Sequence, residues 1–213
     1  MKARLLIASL TALAAITLSG CAGTSGGDSS NPSSTTANGW SCQYCKGVAL
    51  KASGAKNFSF TFPKSDGVHH VVKPFSVSKS AKTITATFTV TPGKFVAAGG
   101  GKPRLGLYFR SCPGWDALGD DQYCRWYSNP NAVRLVPEIV GKGGTFKLLV
   151  PLTPGMWSSV LGKFGDEVPD KFNAAKTAMT EAGFVVGDDF GFAHGGWDLT
   201  GKAQFTLTSF EAK

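Results

Sequence analysis

The sequence predicts a mainly β protein: a two-sheet antiparallel sandwich of about eight strands with a small helical insertion at 154–182. Three observations lead there. Residues 83–91, TITATFTVT, alternate without a fault, placing Ile84, Ala86, Phe88 and Val90 on one face and five Thr on the other, the signature of a half-buried strand. Further stretches repeat that period of two, and Gly- and Pro-rich connections separate them. Helical periodicity is confined to one region near residue 170.

Taken along the chain, NFSFTF turns Phe58, Phe60 and Phe62 to one side, and RLGLYFR does the same with Leu105, Leu107 and Phe109. TFKLLV groups Phe146, Leu148 and Val150, and AQFTLTSF groups Phe205 and Leu207. VHHVV, YCRWY and the FVV beginning at Phe184 are shorter strand candidates. The insertion reads as two helices. TPGMWSSVLG has Thr153 as N-cap, Pro154 at the first helical position and Gly162 beyond the end. VPDKFNAAKTAMTEAG starts at Pro169, stops at Gly183 and stacks Phe172, Ala175, Met179 and Ala182 on one face. The pair is expected to cover one end of the sandwich.

The N-terminus lies outside this fold. Lys2 and Arg4 precede an uncharged apolar run at 5–18, too short to span a bilayer comfortably and suited to a signal-peptide core. Leu18-Ser19-Gly20-Cys21 resembles the lipobox of bacterial lipoproteins, which implies cleavage after residue 20 and acylation of Cys21; the alternative is an ordinary secretory signal cleaved nearby. Ala22 in place of Asp after that cysteine implies, by the same resemblance, an outer-membrane address. Acyl chains hold a protein to a bilayer without a spanning helix. Residues 23–39 are almost all Gly, Ser, Thr, Asn and Pro, which makes them a flexible tether reaching roughly 20–25 Å. The domains are therefore a signal at 1–20, a tether at 21–39 and a sandwich at 40–213.

Apart from Cys21 there are four cysteines, Cys42, Cys45, Cys112 and Cys124. An even count in an exported chain implies two disulfides. Cys112 and Cys124 bracket one long hairpin loop and are expected to pair, leaving Cys42 with Cys45 by elimination. The SCQYC stretch also has the spacing of a redox pair, but that chemistry needs a strand before it and a helix after it, and here a tether precedes it. A four-cysteine zinc site would need reduced thiols, which export disfavours.

If Cys112 lies directly opposite Cys124, counting outward puts Arg110 opposite Trp126 and Phe109 opposite Tyr127. Tyr127 then belongs to the core, while Tyr108, Arg110 and Trp126 share the outer face. Aromatic rings stack on the C–H face of sugars, and Arg and Asn direct hydrogen bonds to hydroxyls and carboxylates. Trp126, Tyr108 and Arg110, extended by Trp115 and Asn129, are thus a candidate ligand platform. His194, among Gly191, Gly195 and Gly196, is a further candidate, because glycines let backbone and ligand approach closely. The opposite reading buries Trp126 under the helical insertion, and the exposure of Trp126 discriminates the two.

The pattern as a whole resembles the jelly-roll sandwiches of bacterial carbohydrate-binding modules and the galactose-binding-like superfamily. The resemblance implies a jelly roll and a glycan or polysaccharide ligand. The helical insertion departs from those modules, so no particular sugar carries over. Enzymatic signals are thin. Jelly-roll glycosidases need two carboxylates projecting into one groove, and Glu138, Glu167, Glu181 and Glu211 have no acidic partner two or four residues away. No nucleophile elbow, phosphate loop, nucleotide fingerprint or zinc motif is present. Asp120-Asp121 and Asp188-Asp189 suit turns; such carboxylate pairs could also hold a structural calcium ion, but their spacing matches no recognisable calcium loop, so no cofactor is expected. The formal charge is +8, or +6 without Lys2 and Arg4, with no run of five basic residues, which argues against nucleic acid. The expectation is a non-catalytic glycan-binding lipoprotein; the alternative is a structural or protein-interaction lipoprotein docking an envelope partner. A hydrolase using His194 with Asp198 or Glu138 is a third reading.

Overall fold

The structure is a computed structural model and describes residues 36–43, 48–62, 69–97, 103–112, 122–129, 132–187, 197–198 and 203–213. Eight principal strands run in chain order: β1 (Asn57–Thr61), β2 (His69–Pro74), β3 (Thr83–Val90), β4 (Arg104–Arg110), β5 (Arg125–Ser128), β6 (Gly144–Pro151), β7 (Glu181–Gly187) and β8 (Gln204–Ala212). All their pairings are antiparallel. One sheet has the order β2-β7-β4-β5 and the other β6-β3-β8-β1. The chain crosses between the sheets after each strand except β4, so neighbours in sequence mostly become partners across the core. That path is the eight-stranded jelly roll of two Greek keys.

Short strands extend the edges. Trp40–Gln43 pairs with β2 and carries Thr36–Ala37 beyond it, and Trp157–Ser159 pairs with β5. Lys51–Ser53 lengthens the second sheet beside β1.

The alternation seen in the sequence fills the space between the sheets. Ile84, Ala86, Phe88 and Val90 of β3 meet Leu105, Leu107 and Phe109 of β4 and Phe205 and Leu207 of β8 in one buried cluster. Its middle is aromatic: Phe205 stacks on Phe88 at 4.8 Å and on Phe60 at 5.0 Å, and Trp40 leans on Phe58 at 4.8 Å.

Three local expectations are corrected. The stretch expected as tether already folds at its end. Asn38 (φ 52°) and Gly39 (φ 79°) form the turn of the hairpin joining 36–37 to 40–41, the positive-φ pair that Asn-Gly favours. Secondly, residues 154–162 are not a helix. One 3-10 turn, Pro154–Met156, gives way to the strand Trp157–Ser159. Thr153 makes no side-chain cap; burial of Trp157 and the pairing with β5 override the local helix signals. Thirdly, Gly183 lies within β7 and does not stop a helix.

Two helices form. The one expected near residue 170 is α2 (Pro169–Thr177), which buries Phe172 and Ala175. Phe172 packs edge-on against Trp126 at 5.2 Å and Phe109 at 6.0 Å, closing one end of the sandwich. The other, α1 (Val136–Lys142), was unforeseen. Its Val136, Ile139 and Val140 are buried, and Pro137 lies in its first turn, where a missing N–H costs no helical hydrogen bond.

Candidate functional site

Because Leu105, Leu107 and Phe109 face inward, β4 must turn Gly106, Tyr108 and Arg110 to the other side of its sheet. The registers line these up with neighbours in three rows. Pro74, Glu181, Arg110 and Arg125 form the first. Ser41, Val72, Gly183, Tyr108, Tyr127 and Ser158 form the second. Gln43, His70, Val185 and Gly106 form the third.

This outer face is unlike that of the partner sheet, where Thr83, Thr85, Thr87 and Thr89 alternate with the core residues. Val72, Tyr108, Tyr127 and Val185 form a second buried cluster, separate from the main core. The His70 ring meets Tyr108 edge-on at 4.9 Å, and Tyr108 lies 5.2 Å from Tyr127. The face is also charged. Arg110 contacts Glu181 through Nε and donates from its terminal nitrogen, both at 2.9 Å, and Gln43 Nε2 reaches the same carboxylate at 3.4 Å. The rings are the floor of the face, with Tyr108 at 0% and His70 at 4% exposure, while Gln43 and Arg125 are half-buried at its rim and the Arg110 side chain, 12% exposed, is turned onto Glu181.

Burial dominates the electrostatics. It pushes the Tyr127 phenol up to about 12 against the pull of Arg125. It pushes Tyr108 further still, with Tyr127 adding to the rise. The Glu181 carboxyl is also held above the usual carboxylate range, since its desolvation outweighs the Arg110 guanidinium beside it. Ionisable groups with such shifts, gathered on one face, mark a functional-site candidate. Chemically, the rim offers guanidinium and amide donors beside a single carboxylate, over an aromatic floor.

The expected platform is only partly here. Tyr108 and Arg110 share the outer face, as the alternation requires. Trp126 does not: it is 0% exposed, points into the core opposite Phe109, and donates its indole N–H to the Tyr123 carbonyl at 2.7 Å. Tyr127 takes the outer position instead, opposite Tyr108.

The cause is a register slip of one residue, which exchanges the faces of a whole strand. Cys112 and Cys124 are indeed bonded, with a Cα–Cα distance of 5.3 Å, but the ladder aligns Arg110 with Arg125 and Ser111 N–H bonds the Cys124 carbonyl. The disulfide therefore joins residues diagonal to one another across the hairpin. With a separation of 12 residues, it removes about 3 kcal/mol of loop-closure freedom from the unfolded chain.

Asn129 is buried and holds the Pro154–Met156 turn, donating its amide to the Gly155 carbonyl at 2.7 Å; it is not displayed as a ligand donor. Cys42 is disulfide-bonded, and its partner lies outside the described residues. Cys21, Cys45, Trp115 and His194 also lie outside them. Glu138 sits on the exposed first turn of α1. Among the described residues no group of three His, Cys, Asp or Glu side chains is placed to hold a metal ion.

Sequence reasoning missed His70, Glu181, Gln43, Arg125 and the outward turn of Tyr127. Strand alternation could have placed each on a face. Only the strand order could bring 43, 70, 110 and 181 together. No family model matches this chain, and no curated protein matches it.

Proposed function

We propose that this protein is a lipid-anchored, non-catalytic binding protein of the bacterial envelope that holds a glycan on the outer face of its larger sheet. The observation that carries the reading is the row Glu181–Arg110–Arg125, with Gln43, above the rings of Tyr108, Tyr127 and His70. Guanidinium and amide donors meet sugar hydroxyls and carboxylates in directed hydrogen bonds; the rings beneath them are buried and support those donors rather than stack on the ligand. The anchor in this reading is Cys21, acylated after removal of 1–20, with the outer membrane as the address. Loss of palmitate labelling in Cys21→Ala tests that part.

A second reading is favoured by one observation, the burial of Trp126 and of the face's rings. In it, the face is a polar packing layer and the protein docks an envelope partner without binding a small molecule. Pull-down of the full chain on polysaccharides and a glycan array, beside Arg125→Ala and Gln43→Ala, decides between them. Binding that is lost in these rim variants while the fold persists supports glycan recognition. A chain that binds no glycan and retains one envelope protein supports the second reading.

A further inference from the structure

A cavity of about 400 Å3 opens between residues 77–79 and the last turns of α2, lined by Val77, Ser78, Lys79, Asn173, Lys176 and Thr177. It lies between the segment that follows β2 and the helix that precedes β7; between those two segments Phe75 N–H bonds the Thr180 carbonyl at 3.0 Å, and Thr180 N–H bonds the Arg110 carbonyl at 2.9 Å. The cavity is thus at the same end of the sandwich as the Arg110–Glu181 pair.

Its lining is one-sided in charge, with two ammonium groups and no carboxylate among the six residues. Lys176 gives one proton to the Leu152 carbonyl at 3.3 Å, which leaves two of its three donors for a ligand. Among the described residues Lys79 forms no ion pair, and its side chain is exposed. Thr177 donates its hydroxyl to the Asn173 carbonyl at 2.9 Å, so its oxygen remains an acceptor. The volume is too large for a lone anion and falls in the range of small-ligand pockets, roughly 300–1,000 Å3. Hydroxyl, amide and Val77 surfaces beside two cations fit a sugar ring that carries a negative group.

We infer that this cavity takes an acidic sugar unit, its carboxylate or phosphate held between Lys79 and Lys176, so that the glycan bound by this protein is anionic. The inference rests on the glycan reading and names its ligand class. Two charge-assisted contacts predict a clear preference, because each is worth about tenfold or more in affinity. Added salt should erode that preference, since exposed charges are screened.

The test is calorimetric titration of the full chain with three tetrasaccharides of one linkage: neutral, uronic-acid-bearing and phosphorylated. Tighter binding of an acidic probe, reduced about tenfold in Lys79→Ala with neutral binding unchanged and with recovery in Lys79→Arg, supports the inference. Which acidic probe wins identifies the anionic group. Equal binding of neutral and acidic probes, or an acidic preference that survives in Lys79→Ala, overturns the inference and leaves glycan binding standing. Failure of all three probes to bind overturns both. Lys176→Ala is the second variant, and because it also releases the Leu152 carbonyl its melting temperature is measured alongside.

Discussion

Replacing Trp126 by Ala should cripple the fold rather than a binding platform. The ring is fully buried, stacked near Phe109 at 6.5 Å and met edge-on by Phe172 of α2 at 5.2 Å. A buried Trp side chain covers about 150–250 Å2. At about 25 cal/mol per Å2 its loss forfeits about 4–6 kcal/mol, an upper limit because the unfolded chain already hides part of that surface. The Tyr123 carbonyl also loses its indole donor, adding about 1 kcal/mol. Measured Trp→Ala changes in cores run to about 3–5 kcal/mol, and about 4 kcal/mol is the expectation here. The assay is urea unfolding followed by far-UV circular dichroism with disulfides intact, which avoids using the deleted fluorophore as its own probe. Trp126→Phe should recover most of the loss. A loss of less than about 1 kcal/mol in Trp126→Ala, together with a red-shifted Trp126 emission in the wild type, would refute the inward placement and restore the outer-face platform.

The remaining predictions concern the face and its central strand. Tyr127, pushed up to about 12, and Tyr108, raised further, stay neutral in the folded protein while unfolded tyrosines ionise near pH ~10. Their stabilising contribution is complete below that pH and is lost as pH rises through the folded values, at about 1.4 kcal/mol per pH unit for each. A tyrosinate absorbance titration should leave at least two of the four tyrosines silent until the fold collapses, and full titration of a folded protein near pH ~10 would contradict this. Gly183→Ala should prevent stable folding, because its Cβ would come within 2.1 Å of the Val71 carbonyl oxygen and 2.7 Å of the Val72 Cα. Both are backbone atoms of the paired strand, so no side chain can give way; a soluble Gly183→Ala with an unchanged melting temperature would show that β2 and β7 can part there.

Alternation made the two sheets legible because burial on one side imposes a period of two, and Thr83 to Val90 needed no more than that. Pairing across space was less legible. The hairpin of β4 and β5 is registered by its ladder, and a one-residue error in assuming Cys112 opposite Cys124 moved Trp126 and Tyr127 to the wrong sides. The helix expected after Thr153 had sound local signals, yet a strand partner and a burial site for Trp157 outweighed them. The candidate site was least legible of all. Arg110 and Glu181 are 71 residues apart and Gln43 and Glu181 are 138 apart, and only the strand order, with 40–43 beside β2 and then β7 and β4, makes them neighbours.

The N-terminal hairpin also determines how the domain would respond to tension. Thr36–Ala37 is held by two residue pairs at the outermost edge of the larger sheet, and Asn38 pins the turn to the Gly54 and Asn57 carbonyls. A pull from the N-terminal side loads those contacts one after another, as a zipper opens. At the other terminus, β8 lies between β3 and β1, and a pull there shears two ladders at once. Under tension from the N-terminal side, the domain would yield a few residues of slack at the hairpin before force reached Trp40 and the core, which makes that hairpin a built-in shock absorber.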